Sequence, residues 1–144
     1  MTFKLSQKSL DRLTGVHPDL VDVVMLAIGK SEVDFCVLEG VRSMARQEQL
    51  VKAGASKTMK SRHLTGHAVD LGAMLGGSVR WDWGLYMKVA ESMKEASEEL
   101  AVPIRWGGAW KLLSELDAPI TSEMLSRSFP DGPHFELPIK EYPA

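Results

Sequence analysis

Apolar residues recur along this chain in two periods, and the switches between them mark out its elements. Leu20, Val23, Val24, Ala27 and Ile28 fall on one face at helical spacing. Pro18 suits the first turn of that helix, where its missing N–H is not needed, and Gly29 or Lys30-Ser31 ends it. A shorter helix is predicted over residues 6–13 with Ser6 as N-cap. Phe35-Cys36-Val37-Leu38 is apolar without alternation. That predicts a central strand covered on both faces, with Cys36 as a small buried hydrophobe. Ser43 can cap a helix from Met44 to about Ala53, closed by Gly54. Tyr86, Val89, Ala90, Met93, Ala96 and Leu100 form the apolar stripe of a long helix over residues 83–100, behind a capping Asp82.

Strands fill the intervals. Residues 67–73 read as one, with Ala68, Val69 and Leu71 as its apolar content, and Gly76-Gly77 turns it into a short return strand over 78–81. Residues 103–106 read as another, ended by Gly107-Gly108. A last strand over 133–137 places His134 and Glu136 on one face and Phe135 and Leu137 on the other. Residues 55–62 are polar and basic and predict an exposed loop. Residues 111–129 predict a long loop with a helical turn, a length at which loops are often functional. No repeat or linker interrupts the chain. The expectation is one α+β domain over residues 1–144, a small, mostly antiparallel sheet flanked by helices.

Composition narrows the chemistry. The 144 residues are 44% hydrophobic and 25% charged, the balance of an ordinary globular protein. A net charge of -2 without a Lys/Arg block gives no pull toward nucleic acid. No run approaches the length of a membrane span. The first residues lack the apolar core of an export signal, so synthesis in the cytoplasm is expected. With Cys36 as the lone cysteine, an internal disulfide and a four-thiolate zinc site are both excluded. A metal would have to be held by imidazole and carboxylate.

Candidates for that role stand in Ser61-Arg62-His63-Leu64-Thr65-Gly66-His67-Ala68-Val69-Asp70 and in Asp131-Gly132-Pro133-His134. Open zinc sites use three protein ligands and a water. His63 on a loop, Asp70 on a strand and His134 on the last strand would supply three, with Gly66 letting the chain turn between the first two. A rival pairs His63 with His67, four apart as in HExxH helices. Leu64 stands where that motif has Glu, and Gly66 disfavours a helix. Blander readings compete. A lone histidine is usually a surface or hydrogen-bonded residue, Asp131-Gly132-Pro133 alone is a turn, and Trp81, Trp83, Trp106 and Trp110 suit a core or groove.

Ser61-x-His63-x-x-Gly66-x-Ala68-x-Asp70 resembles the SxHxxGxAxD signature of the D-alanyl-D-alanine carboxypeptidase and L-alanyl-D-glutamate endopeptidase family. Asp131-x-x-His134 is similar to its acid-x-x-His signature, and Trp106-Gly107-Gly108-x-Trp110 to its WGGxW stretch. The order and distances resemble the peptidoglycan peptidases that phages use as endolysins. The resemblance implies the hedgehog/D-Ala-D-Ala-peptidase-like fold, with a zinc ion on His63, Asp70 and His134 and a catalytic carboxylate at Asp131. It further implies that Arg42 steadies negative charge on the scissile carbonyl oxygen and that Ser61 hydrogen-bonds substrate, and a one-module enzyme of this kind is expected to hold its substrate in its own groove with Trp106 and Trp110. The substrate would be the peptidoglycan stem peptide, cut at L-alanyl-D-glutamate, by a monomer that reaches the wall after release from the host cytoplasm. The basic loop from Lys57 to Arg62 would help to hold anionic wall peptides. Two alternatives stay open: a D-alanyl-D-alanine carboxypeptidase, and a silent zinc-bearing module that binds wall without cutting it. The chain departs from its relatives at Gly132, where related sites carry a histidine, and at Ala109, where many carry Asp.

Overall fold

The computed structural model describes residues 2–56 and 58–143. Four helices and a six-stranded antiparallel sheet make an α+β fold. The helices start where the capping chemistry says they should. Ser6 accepts from the Ser9 N–H ahead of α1 (Gln7–Arg12), and Ser43 from the Arg46 N–H ahead of α3 (Met44–Lys52). α2 (Pro18–Lys30) opens on its proline, with His17 Nδ1 accepting from the Asp19 N–H. α4 (Trp83–Leu100) has the predicted bounds, but Asp82 makes no side-chain cap and pairs with Arg80 instead. α2 and α4 pack on each other and cover one face of the sheet.

The strands are β1 (Asp34–Glu39), β2 (Ala68–Leu75), β3 (Ser78–Arg80), β4 (Arg105–Trp106), β5 (Lys111–Leu112) and β6 (His134–Glu136). Their order is β1-β2-β6-β4-β5, with β3 beside β2. β1 is therefore an edge strand, not the expected central one. Its apolar run is explained by Phe35 and Val37 facing the helices, while Cys36 and Leu38 on the other side are only half covered. Residues 111–129 hold β5 and two short 3-10 turns where the sequence predicted a loop.

Strand alternation divides the sheet by chemistry. Val69, Leu71, Phe135 and Leu137 point into the helical core and are fully buried. Their neighbours Asp70, His134 and Glu136 therefore point the opposite way. Register aligns them: Asp70 lies across from both Glu39 and His134, and Glu136 across from Arg105. One sheet face is thus hydrophobic and the other carries charge.

Candidate metal centre and active-site groove

The charged face floors an open groove of about 1190 Å³. His63 joins it from a 3-10 turn, Arg62–Thr65, that Ser61 caps by accepting the His63 N–H at 3.2 Å. Gly66 ends the turn at φ 77°, and a Cβ there would lie 2.5 Å from the Gly15 carbonyl oxygen, so glycine is required on both counts. The structure brings together the three residues singled out as ligands. His63 Nε2 and His134 Nδ1 lie 3.1 and 3.3 Å from Asp70 Oδ1, and one ligand atom from each residue falls within a common 4.8 Å. His67 stays apart. Its Nδ1 shares a hydrogen with Thr65 Oγ1, and its ring stacks near His17.

The far nitrogen of each imidazole is also engaged. His63 Nδ1 lies 2.9 Å from the Gly40 carbonyl oxygen, and His134 Nε2 lies 2.7 Å from Glu136 Oε1. An acceptor at the outer nitrogen keeps the proton there and turns the other lone pair inward, the usual second partner of a metal-bound histidine. The donor set therefore fits a cation that takes two imidazoles and a carboxylate. Burial opposes ionisation of Asp70, but hydrogen bonds from His134 and His63 hold its carboxyl well below the usual range. Burial likewise opposes a charge on His134, but Asp70 and Glu136 outweigh it and push the metal-free imidazole up to about 9. Glu136 is kept anionic in spite of burial by His134, Arg105 and Arg62.

The remaining candidates divide. Asp131 lines the groove, and burial together with the charge of Asp70 raises its pKa. Its turn is clamped by the Asp131 N–H donating to the Gly107 carbonyl and the Gly107 N–H donating to the His134 carbonyl. Arg42 also lines the groove. Its Nε donates to Glu39 at 2.7 Å, Nη2 meets the same carboxylate and stands 3.7 Å from Asp70 Oδ2, and Nη1 donates to buried Gln47. The Ser61 hydroxyl faces the groove while serving as a cap. Trp110 lines the groove, its indole N–H donating to the Phe129 carbonyl. Trp106 does not: it is fully buried, stacks on Phe135 and donates to the Gly132 carbonyl, which places it in the core behind the turn and not on the groove wall expected of a substrate contact. Ala109 is buried in the core, away from the groove wall. In the basic loop, Lys57 lies outside the described residues, and Arg62 Nη2 donates to the carbonyls of Leu137 and Tyr142.

Sequence reasoning assigned no role to Glu136, Gly40 or Arg105. Glu136 could have been found, because it shares a strand face with His134. The Gly40 carbonyl is backbone and leaves no mark in the sequence.

This is a cleft on one face of an antiparallel sheet, floored by a His-Asp-His group that could hold a metal ion. The family of phage L-alanyl-D-glutamate peptidases matches residues 1–138, and the chain belongs to it. It is 30% identical over 141 residues to the L-alanyl-D-glutamate peptidase of Escherichia phage T5, covering 95% of this chain and 99% of that one. It is 29% identical over 110 residues to the L-alanyl-D-glutamate peptidase of Listeria phage A118, covering 76% of this chain and 32% of that longer protein. The crystal structure of the L-Ala D-Glu endopeptidase ChiX of Serratia marcescens superposes with a TM-score of 0.83 at 44% identity, covering 99% of this chain and 95% of that one.

Proposed function

We propose that this protein is a zinc-dependent endopeptidase that hydrolyses the L-alanyl-D-glutamate bond of peptidoglycan stem peptides. In this reading it works as a single catalytic domain and a monomer, and its biological role is lysis of a phage host. The observation that carries the proposal is the convergence of His63, Asp70 and His134 in a groove that also presents Asp131 and Arg42. Two imidazoles and one carboxylate suit zinc, and three protein donors leave a coordination place free. Bound there, zinc would supply a Lewis acid and an acidified water.

The chain's own groups do the rest. Asp131 takes a proton from the attacking water at its carboxylate, and its raised pKa suits a base that must later give that proton up. The water oxygen bonds to the alanyl carbonyl carbon, the C–N bond breaks, and the proton passes to the departing D-glutamyl amine. Arg42, fixed by Glu39 and Gln47, offers positive charge to the carbonyl oxygen as it becomes anionic. No helix among the described residues is long and apolar enough to cross a membrane, in keeping with action on the wall from solution.

The test is digestion of purified peptidoglycan with and without a chelator, with zinc added back, and mass spectrometry of the fragments. Zinc-restored release of peptides with amino-terminal D-glutamate is expected. Free D-alanine in its place would make the enzyme a carboxypeptidase. Wall binding without fragments would make it a silent module, and full activity in chelator would remove the metal.

A further inference from the structure

The groove holds a second feature that the hydrolytic groups do not use. Arg105 opens β4, Trp110 ends the turn that follows it, and both line the groove together with His134. The Arg105 guanidinium sits 4.9 Å from the centroid of the Trp110 ring. That ring lies 5.5 Å from the His134 imidazole, and its indole N–H is tied to the Phe129 carbonyl. Trp110 holds φ at 51°, a left-handed conformation that a bulky side chain adopts only at a cost. The chain accepts that cost to keep an indole there.

Stacking fixes the cation without consuming its hydrogens. The nearest carboxylate oxygen, Glu136 Oε2, is 3.6 Å away, beyond a hydrogen bond, and the other oxygen of Glu136 is taken by His134. Glu136 is also balanced by Arg62, so two cations face one carboxylate at this end of the groove. Arg42 differs: its guanidinium donates to Glu39, Gln47 and Ser61. Arg46 and Lys60 line the groove too, but the guanidinium seated over the Trp110 indole is that of Arg105. Arg105 is a guanidinium pre-oriented on an indole with donors to spare, the arrangement that recognises carboxylates in two-point fashion.

We infer that Arg105, held on the Trp110 ring, is a carboxylate-binding subsite that takes the free α-carboxylate of the D-glutamyl residue on the leaving side of the scissile bond. The inference rests on the endopeptidase reading. In a stem peptide the D-glutamate is extended through its side-chain carboxyl, so its α-carboxylate stays free, one carbon from the scissile nitrogen. A cation beside the metal centre is where that charge would fall.

The test uses two matched pairs of synthetic peptides with the α-position as free acid or as amide: uncut L-alanyl-D-glutamyl substrates, and the corresponding D-glutamyl products. Cleavage gives kcat/KM for the substrates, and calorimetry on the zinc-loaded full chain gives Kd for the products. The wild type should favour the acid by roughly tenfold or more in both, as expected for a charged hydrogen-bonded pair. Arg105→Gln should bring both acid-to-amide ratios close to one, and Arg105→Lys should restore part of the preference. Equal binding of acid and amide product by the wild type, or a preference that survives in Arg105→Gln, overturns the subsite. Loss of acid and amide turnover in equal proportion would overturn it too, since it would show Arg105 acting only through Glu136 and His134. Should the wild type cut neither substrate yet favour the acid product, the endopeptidase reading fails and the subsite stands.

Discussion

Replacing Gly107 with Ala should disable the groove without touching a single functional side chain. An added Cβ would lie 2.5 Å from the Asp131 carbonyl oxygen, 2.9 Å from the His134 Cβ and 3.1 Å from the Asp131 Cβ. The first contact is roughly 1 Å inside ordinary van der Waals distance, and no flexible side-chain end can yield. Gly107 is not among the positive-φ residues, so the penalty is one of space and not of backbone conformation. To relieve it the turn from Asp131 to His134 must move away, lengthening the paired backbone hydrogen bonds of 2.9 and 2.8 Å that clamp it to Gly107. Overpacking of this kind costs about 1–3 kcal/mol, or roughly 3–10 °C in Tm for a chain of this size. The same movement of about 1 Å carries both a proposed ligand, His134, and the proposed base, and misplacement on that scale costs on the order of 100-fold in turnover. Calorimetry, zinc content after dialysis and peptidoglycan clearing would measure the three effects. Gly84→Ala is the control. Nothing lies within 4 Å of a Cβ there, and Ala in α4 should gain up to about 1 kcal/mol, so this variant should keep full activity with an equal or higher Tm. A Gly107→Ala protein with wild-type Tm and turnover would refute the reasoning, because it would show that the turn is not held by that contact.

Two further variants probe the charges. Glu136→Ala removes the acceptor at His134 Nε2, so zinc affinity should fall about 10- to 100-fold in competition with a chromophoric chelator, and unchanged affinity would mean the tautomer is set elsewhere. Asp131→Asn should abolish turnover yet stabilise the metal-free protein at neutral pH. The folded pKa of Asp131 lies above its unfolded value, so its contribution to stability is present below the unfolded pKa and is lost as pH rises through the folded one. The Asn variant escapes that loss, so the gain in Tm over wild type should be seen at pH 7 and vanish near pH 3.

What the sequence disclosed was local. Ser6, Pro18 and Ser43 announce their helices because an N-cap or an N1 proline acts within a single turn, and the structure starts α1, α2 and α3 at those residues. The alternation of His134, Phe135 and Glu136 is equally local and was legible. Strand order is not. Phe35-Cys36-Val37-Leu38 reads the same whether one neighbour strand pairs with it or two, so the edge position of β1 emerged only from tertiary pairing. Trp106 and Trp110 sit in one short motif, yet one is sealed against Phe135 while the other opens onto the groove. The Gly107-Gly108 turn decides that, because a Cβ on Gly108 would lie 2.3 Å from the Trp106 ring. Arg42 shows the same limit: the family resemblance suggested charge stabilisation, but its partners Glu39, Gln47 and Asp70 come from three separate elements.

Gly132 shows how one departure from the related sites is absorbed. A histidine two residues before the last ligand would place its Cβ 2.7 Å from Tyr86 Cδ2 and 3.1 Å from Trp83 Cζ3. Both rings belong to the first turn of α4, and Tyr86 is buried, so neither can swing aside cheaply. The Gly132 carbonyl is meanwhile taken by the Trp106 indole N–H at 2.8 Å. Aromatic packing from the helix on one side and an indole hydrogen bond on the other therefore leave this position room for glycine alone. Any base beside the His63-Asp70-His134 group has to come from a neighbour, and Asp131, one residue earlier, lines the groove with a carboxyl whose proton affinity is already raised. Restoring a histidine at 132 would thus require trimming Tyr86 and Trp83 together, and the single Gly132→His change should unfold the turn before it could supply a second base.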